Sequence, residues 1–197
     1  MRRKKIAVVT GGDGHIGRAT CKALKKRGYN IVSWDVIPNK KGLREHPKRI
    51  DLYVANAPRS AEEYMQDFSS PNVLSRLAPN AAVVTVASIY GILGPDFRIY
   101  EGTEILTTPE QYAAAKGALV QLTRYWATKY APIRVNCVCP GGIYRDHSIR
   151  FEKNYSNRVP LKRMGTEKEV AHAICFLAEA TYCTGVILPV DGGLSCW

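Results

Sequence analysis

Short apolar runs alternate with stretches of helical periodicity along most of this chain. The first run, 5–10 (KIAVVT), is rich in β-branched residues, as expected of a strand that is buried on both faces of a sheet. Positions 16–28 then carry apolar residues at helical spacing, with lysines on the far side and Gly28 as a C-terminal stop. The run 30–35 (NIVSWD) predicts a second strand, which completes a βαβ unit of the kind that builds parallel sheets.

The same alternation continues to the end of the chain. Further strands are predicted at 50–56, 82–87, 133–138 and 186–190, helices at 61–68, 73–77, 109–130 and 166–178, and loops at 36–48, 92–108 and 144–160. The last helix opens with Thr166-Glu-Lys-Glu169, a capping-box pattern. Strands that alternate with helices predict an α/β fold: one domain over 1–197, with a single doubly wound parallel sheet of about six strands.

A glycine-rich turn joins the first strand to the first helix. Its sequence, TGGDGHIG, places Gly11, Gly14 and Gly17 in a GxxGxxG spacing. Such glycines permit a tight turn and a close approach of the backbone to a pyrophosphate, while the helix N-terminus offers unpaired N–H groups. Asp35 ends the second strand about 20 residues further on, where a carboxylate can accept hydrogen bonds from a ribose. The pattern predicts a Rossmann fold whose turn binds a dinucleotide through Gly11, Asp13, Gly14, His15, Ile16 and Gly17.

The residue at the end of the second strand also bears on which dinucleotide is bound. Because the carboxylate of Asp35 repels a 2′-phosphate, NAD is expected in preference to NADP. Lys40, Lys41 and Arg44 follow closely and act in the opposite direction, so NADP stays open as the alternative. Asp35 could also be an ordinary strand-end carboxylate that caps a turn, and His15 an exposed loop residue.

Composition and charge limit the class of protein. The chain has 197 residues, 46% of them hydrophobic and 23% charged, which is enough for one globular core. It has no run of about 18 apolar residues, and its basic start passes directly into a strand, so we expect a cytoplasmic protein with no membrane partner. The net charge of +11 is dispersed, as on a solvated basic surface, and no aromatic-basic motif supports specific binding of nucleic acid.

The six cysteines lie scattered in apolar surroundings. No two form a CxxC pair, and no histidine stands at a metal-binding spacing from them. We therefore expect reduced thiols, typical of a reducing compartment, and no metal site. The cysteines are Cys21, Cys137, Cys139, Cys175, Cys183 and Cys196.

The sequence YAAAK at 112–116 introduces a resemblance to a known family. A YxxxK motif inside a long helix, after a serine at a strand end, resembles the short-chain dehydrogenase/reductase family. Further motifs follow the family's order across the whole chain: TGGDGHIG at 10–17, NAP at 56–58, ASIYG at 87–91, RVNCVCPGG at 134–142 and VDGG at 190–193. The stretch 88–197 is most similar to members associated with flagellin modification and with surface-polysaccharide or sugar biosynthesis.

The resemblance implies an NAD(P)-dependent oxidoreductase that interconverts a carbonyl and an alcohol on a small polar, sugar-like substrate. Tyr112 would exchange the proton, yet a free tyrosine has a pKa of about 10, poorly matched to neutral pH. Lys116 lies one helical turn away on the same face, and its charge favours the phenolate. By resemblance, Lys116 also holds the ribose hydroxyls next to the nicotinamide. Ser88 would donate a hydrogen bond to the substrate oxygen, as a preorganised donor does.

The resemblance also implies which residues border the cofactor groove. Asn56 and Ala57 would lie on its adenosine side, and Pro140, Gly141 and Ile143 would close over the nicotinamide. Family members commonly assemble as homodimers or homotetramers, so either assembly is the expected one. Asn136, in contrast, is expected to hold neighbouring backbone rather than to touch substrate.

The chain departs from the family pattern in length. Too few residues separate Asp35 from Asp51 for the third strand, an edge strand in the family, so we expect it to be missing. An acidic residue that touches the adenine would be lost with it. The span 58–88 is also short and leaves the family's fourth catalytic residue, an asparagine, without a clear position; Asn72 and Asn80 are the nearest candidates.

These departures leave a second hypothesis open, in which the chain is a catalytically degenerate homologue that binds a dinucleotide and has a binding or regulatory role. The loops at 92–108 and 144–160 are expected to line the substrate pocket in either case. Their polar residues indicate a polar and potentially anionic ligand, although Arg145 stands where the family often has a threonine. These residues are Arg98, Tyr100, Arg145, His147 and Arg150.

Overall fold

A single parallel sheet organises the protein. A computed structural model describes residues 3–35, 47–56, 62, 65, 73–105 and 108–197. Their strands are β1 (Ile6–Thr10), β2 (Asn30–Trp34), β3 (Ile50–Ala55), β4 (Leu77–Val86), β5 (Arg134–Pro140) and β6 (Ile187–Val190). They pair in the order β2-β1-β3-β4-β5-β6, and every pair is parallel. The prediction of an α/β fold with one parallel sheet of six strands is confirmed, and among the described residues no strand pairs with the outer edge of β2.

Helices cover both faces of the sheet. Those whose bounds the structure gives are α1 (His15–Lys26), α2 (Glu110–Lys129), α3 (Ile149–Arg158) and α4 (Glu167–Glu179). Because side chains alternate along a strand, Ala7 and Val9 of β1 pack with α1 and α4, whereas Val8 faces the cluster that includes α2. The sheet is therefore doubly wound, and its strands are apolar on both sides as predicted.

The start of α4 has the capping geometry that its sequence predicts. The Thr166 hydroxyl accepts from the Glu169 N–H, and the Glu169 carboxylate accepts from the Thr166 N–H at 2.8 Å. Asn136 likewise holds backbone, as expected: its amide donates to the Cys183 carbonyl at 2.9 Å and accepts from the Val186 N–H at 3.1 Å. The first pair of bonds closes the N-terminus of α4, and the Asn136 bonds attach the segment before β6 to β5.

A third apolar cluster lies apart from the two faces of the sheet, and we name it the small lobe. Its buried residues are Ile89, Ile99, Tyr100, Phe151, Tyr155, Val159, Met164 and Leu194. Two of them belong to α3, so the predicted loop at 144–160 is wrong over 149–158. Ser148 caps this helix by accepting from the Phe151 N–H, and Phe151 and Tyr155 then share one face at i,i+4 spacing. Only one side of this short polar helix is buried, which made its periodicity weak in the sequence.

Other boundaries differ from the prediction near the start of β4. That strand begins at Leu77 rather than at 82, and the predicted helix at 73–77 is one 3-10 turn over Leu74–Arg76. A register shift between β3 and β4 accommodates the extra residues. Most of the predicted helix at 61–68 lies outside the described residues.

All six cysteines are free thiols, as predicted. Cys137 and Cys139 are fully buried on β5, with their Sγ atoms 3.8 Å apart. In the described part of the chain, no helix has both the length and the apolar character needed to cross a membrane.

Candidate active site

The glycine turn after β1 is built by backbone contacts that exclude side chains. Gly11 adopts a φ of 63°, in the left-handed region, and its N–H donates to the Trp34 carbonyl at 2.7 Å. The Gly14 N–H closes the turn on the Gly11 carbonyl at 3.0 Å. A Cβ on Gly17 would overlap that same carbonyl oxygen and would lie 2.7 Å from Gly12 Cα. The first turn of α1 therefore sits directly on the loop, with its N-terminus at the carboxyl edge of the sheet.

Asn56 fastens the end of β3 to this turn. Its amide donates to the Gly11 carbonyl at 3.1 Å, and its own N–H donates to the Thr10 hydroxyl at 3.0 Å. The ends of β1 and β3 are thus held together beneath the turn. Asn56 was predicted as a cofactor contact; its amide nitrogen is engaged with the protein backbone.

The carboxylate of Asp35 also contacts the turn. It accepts from the Asp13 N–H at 3.2 Å and from the Ser33 hydroxyl at 2.8 Å. The interpretation of Asp35 as a strand-end carboxylate that caps a turn is therefore correct. Its role toward a ribose stays a prediction, which these bonds permit because a carboxylate has lone pairs for about four hydrogen bonds.

Ser88 lies where β4 ends. It is 6% exposed, and its Oγ accepts from the Tyr90 N–H at 3.2 Å, which caps the 3-10 turn Ile89–Gly91. Within the described residues its hydroxyl makes no other hydrogen bond, so its proton is available to a ligand in the adjoining pocket. The Tyr90 N–H holds the hydroxyl in place for such a donation.

Helix α2 approaches the turn after β4 very closely. A Cβ on Gly91 would lie 2.6 Å from the Lys116 carbonyl oxygen, so only glycine allows this packing. The Lys116 side chain then reaches the end of β4, where Nζ donates to the Val86 carbonyl at 3.2 Å. This contact brings the serine of one element and the YxxxK motif of another to the same place.

Lys116 is a buried cation beside an accessible phenol. The residue is 9% exposed, whereas Tyr112 is 40% exposed, and Nζ lies 5.6 Å from the centre of the Tyr112 ring. Burial lowers the pKa of Lys116, because the ammonium loses hydration that one carbonyl bond does not replace. The site therefore holds a buried cation next to an accessible phenol.

These features border one cavity of about 440 Å³, which we name the carboxyl-edge pocket. Its walls are the glycine turn, the ends of β3, β4 and β5, helix α2, and the segment that follows β5. The lining residues are Gly14, His15, Ile16, Asn56, Val86, Ala87, Ser88, Tyr112, Lys116, Pro140, Gly141, Ile143, Arg145 and His147. The structure therefore brings together the three predicted catalytic residues and most of the predicted cofactor contacts.

Some predicted residues stand beside the pocket rather than in its wall. Gly11, Asp13, Gly17 and Asp35 shape the turn and the neighbouring strand end, and Ala57 lies outside the described residues. Of the two candidates for the fourth catalytic asparagine, Asn80 is exposed on β4 and does not line the pocket, and Asn72 is outside the described residues. His15 is exposed, as one interpretation had it, yet it lines the pocket as the first residue of α1.

Tyr155 supports the pocket and was missed in the sequence. Its hydroxyl accepts from the Gly142 N–H. Its ring packs against Gly142 so closely that a Cβ on that residue would lie only 2.6 Å from a ring carbon. A Cβ on Gly141 would lie 2.7 Å from the same hydroxyl. The two glycines after β5 thus let α3 press against the pocket wall. The i,i+4 pair of Phe151 and Tyr155 behind Ser148 was the signal that could have revealed it.

A larger groove of about 600 Å³ lies between α1 and α4. It contains cations on both helices, among them Arg18, Lys22 and Lys168, and shares His15 with the carboxyl-edge pocket. Ser88, Tyr112 and Lys116 do not line it, so the candidate chemistry is confined to the smaller cavity.

Comparison with known proteins identifies the family. Residues 70–195, more than half of the chain, match the family model described as enoyl-(acyl carrier protein) reductase, and residues 7–90 match the NAD dependent epimerase/dehydratase family. The 3-oxoacyl-[acyl-carrier-protein] reductase of Homo sapiens is 27% identical, with 96% of this chain and 98% of that protein covered. Glucose 1-dehydrogenase of Gluconobacter oxydans is 32% identical, with 98% of this chain and 77% of that protein covered.

Solved structures agree on the fold. A short-chain dehydrogenase from Leptospira borgpetersenii with bound NAD+ superimposes with a TM-score of 0.80 at 24% identity, over 98% of this chain and 93% of that one. A blue fluorescent protein from a metagenomic library, in complex with NADPH, gives a TM-score of 0.77 at 21% identity, over 97% of this chain and 98% of that one. The chain belongs to the short-chain dehydrogenase/reductase family, whose members are oxidoreductases.

The buried ammonium of Lys116 predicts a pH-dependent stability. Because its pKa is lowered from 10.5, the unfolded chain binds more protons than the folded chain between the lowered value and 10.5. The free energy of unfolding of the native chain should therefore rise with pH across this window, relative to that of Lys116→Met. Urea unfolding of both proteins from neutral pH to about pH 10 measures the difference. A difference that stays constant or falls with pH would contradict the buried-ammonium assignment.

Proposed function

We propose that this protein is an NAD(P)-dependent oxidoreductase that interconverts a carbonyl and an alcohol on a small polar substrate. The observation that carries the proposal is the arrangement in the carboxyl-edge pocket, where Ser88, Tyr112 and Lys116 share one cavity with the glycine turn. A hydroxyl donor, a phenol and an ammonium are the groups that proton transfer to a reacting oxygen requires.

The turn has the shape that a dinucleotide needs. At Gly17 no side chain can be accommodated, and Gly14, His15 and Ile16 expose the N-terminus of α1 to the pocket, where unpaired N–H groups favour a diphosphate. Pro140, Gly141 and Ile143 form the opposite wall, where the nicotinamide would lie. Two solved relatives of this fold hold NAD+ and NADPH, which supports the same cofactor class here. A nicotinamide dinucleotide, when bound, supplies or accepts the hydride.

Tyr112 is the group assigned to proton transfer. As a carbonyl is reduced, its phenol gives a proton to the oxygen, and in the reverse direction the phenolate takes that proton back. Lys116 stabilises the phenolate by its positive charge, which acts strongly because the ammonium is shielded from water. One of its protons is bound to the Val86 carbonyl, so two remain for the ribose hydroxyls that the family resemblance implies.

Ser88 is assigned to binding and polarising the reacting oxygen. Its Oγ already accepts from the Tyr90 N–H, so the hydroxyl can turn its proton toward the pocket. A donor held in place before the reaction costs little reorganisation when negative charge develops on the substrate oxygen. Tyr112 and Ser88 would then contact the same oxygen from two sides.

Two further assignments concern specificity. Asp35 stands next to the turn on the adenosine side and favours NAD over NADP, because its carboxylate would repel a 2′-phosphate. Relatives of this chain include a glucose 1-dehydrogenase and 3-oxoacyl-[acyl-carrier-protein] reductases, so the family accommodates both sugar and acyl substrates. The polar side chains around the pocket favour a sugar-like compound.

A catalytically degenerate homologue that binds a dinucleotide without turnover is the second candidate. One observation favours it: Asn80 is exposed and does not line the pocket. Neither candidate for the fourth catalytic asparagine is therefore found in the pocket among the described residues. The two candidates differ in what Tyr112 does, and substitution of that residue separates them.

Substitution of Gly17 tests the cofactor turn. Gly17→Ala should weaken binding of NADH by about tenfold or more, because the added Cβ forces the Gly11 carbonyl to move. Isothermal titration calorimetry measures the loss, and circular dichroism checks that the variant is folded. Gly94→Ala is the matched control, since a Cβ there meets nothing within 4 Å and should leave binding unchanged. Native affinity in folded Gly17→Ala would exclude the turn as the binding site.

Substitution of Asp35 tests the preference for NAD. The native chain should bind NADH more tightly than NADPH, and Asp35→Asn should reduce the ratio of the two dissociation constants by about tenfold, because the repelling charge is removed while one acceptor oxygen remains. Calorimetric titration with both nucleotides gives the ratio. Glu110→Gln removes an exposed charge at the start of α2 and should leave the ratio as it is. A native preference for NADPH would show that Asp35 does not select the cofactor.

Substitution of Tyr112 tests the reaction. Tyr112→Phe should lower turnover by about 10²- to 10⁴-fold while NADH still binds, because only the transferable proton is lost. The nicotinamide absorbance follows turnover on a panel of sugars and small ketones. Tyr125→Phe, at an exposed tyrosine on the same helix, should behave like the native chain. If the native chain binds NADH but turns over nothing, the degenerate homologue is the better description.

A further inference from the structure

One wall of the carboxyl-edge pocket carries charged side chains that the proposed proton transfer does not use. Arg145 and His147 line the pocket on the connection from β5 to α3. Lys116 also lines it, but its ammonium is directed to the Val86 carbonyl and lies beside the Tyr112 ring. Arg145 and His147 are therefore free to act on the substrate itself.

The segment that carries these two side chains is a built turn. Tyr144 N–H donates to the Gly165 carbonyl at 3.0 Å, and Asp146 adopts a φ of 50°, in the left-handed region. The Arg145 N–H donates to His147 Nδ1 at 3.1 Å, and the His147 ring stacks on Phe151 with the centroids 4.9 Å apart. The backbone and the imidazole are thus held in one geometry by the small lobe.

This hydrogen bond decides which imidazole nitrogen can donate. Because Nδ1 of His147 accepts from a backbone N–H, the neutral ring must carry its proton on Nε2. The side chain that lines the pocket is therefore a donor at its other nitrogen. Arg145 adds five guanidinium N–H donors and a permanent positive charge.

Arg145 makes no ion pair within the described residues, whereas His147 interacts electrostatically with the Glu104 carboxylate, which accepts from the Ser148 hydroxyl at 2.6 Å. In the described residues, neither aspartate nor glutamate lines the carboxyl-edge pocket, and the ion pairs found there involve other arginines than Arg145. Asp146 lies between the two side chains in sequence, but it does not line the pocket. A cavity lined by an arginine, a lysine and two histidines, and by no carboxylate among the described residues, attracts anions.

We infer that Arg145 and His147 form an anion subsite, so that the substrate carries a carboxylate or a phosphate near the carbonyl or hydroxyl that reacts. Arg145 pairs with this anion through its planar fork, and His147 donates from Nε2. The inference rests on the proposed oxidoreductase function and adds the substrate class to it. The dinucleotide diphosphate would instead bind at the N-terminus of α1, next to Gly14, His15 and Ile16.

The test uses matched pairs of compounds that differ only in the anion. Ethyl acetoacetate and acetoacetate share one ketone, D-glucose and D-glucuronate share one anomeric carbon, and D-glucose 6-phosphate adds a phosphate in place of the carboxylate. The native chain should show a kcat/KM at least about tenfold higher for the anionic member of the pair whose scaffold it accepts. Comparison of the carboxylate pairs with the phosphate pair shows which anion is recognised.

Substitution of the subsite should remove this selectivity. In Arg145→Gln the ratio of kcat/KM between anionic and neutral members should fall by about tenfold, and Arg145→Lys should recover part of it, because charge returns without the fork. His147→Phe keeps an aromatic ring for the stack on Phe151 but loses the donor, and should also lower the ratio. Arg124→Gln, which removes an exposed arginine on α2, is the control for a general effect of charge.

Four outcomes would overturn the inference. An unchanged ratio in both Arg145→Gln and His147→Phe would remove the subsite. If Arg145→Gln had a larger dissociation constant for NADH but kept the native preference for anionic substrates, Arg145 would be assigned to the cofactor diphosphate. If the native chain turned over both members of a pair equally, the anion subsite would be wrong but the proposed function would stand. If it turned over none of the compounds, both the proposed function and the subsite would be contradicted.

Discussion

The contact between α2 and the turn that follows β4 holds the candidate site together. The missing side chain of Gly91 lets the Lys116 backbone approach that turn, and the Lys116 ammonium then reaches the Val86 carbonyl at the end of the strand. Ser88 lies at the start of the same turn. Without this close approach, the serine and the phenol of Tyr112 would stand on separate elements with no common cavity. Glycine is required here because any Cβ would meet helix backbone, which cannot move aside.

The buried ammonium of Lys116 lowers the stability of the folded protein, and such a destabilising group points to a functional site. Burial lowers the pKa of Lys116 and favours its neutral form, while the carbonyl of Val86 offers only one partner. Groups with pKa values perturbed by burial concentrate at functional sites, because catalysis needs charges where water cannot screen them. The same burial that weakens the folded state keeps Nζ of Lys116 beside the Tyr112 ring, 5.6 Å from its centre.

The architecture divides the pocket between two sources. Strand ends, the glycine turn and α2 supply one part, and the connection from β5 to α3 supplies the wall with Arg145 and His147, whose ring stacks on Phe151 of the small lobe. Tyr155 joins the two, because it packs on the glycines after β5 while belonging to the lobe. Under the proposed function, the first part would act on the reacting oxygen, and the wall beside the small lobe would contact the rest of the substrate.

Local patterns in the sequence were sufficient for the sheet and for the three predicted catalytic residues that share the carboxyl-edge pocket. The apolar runs predicted all six strands, the glycine spacing and the capping box were correct, and Ser88, Tyr112 and Lys116 were found by motif. Helix α3 and its Tyr155 were not found, because a short helix with two buried residues has little periodicity of its own. The role of Gly91, the binding of Asp35 to the Asp13 N–H and the placement of Arg145 beside His147 depend on contacts between residues distant in sequence or on turn geometry. Hydrophobic periodicity reports which face of an element is buried, but only tertiary packing decides which elements meet and which side chains share a cavity.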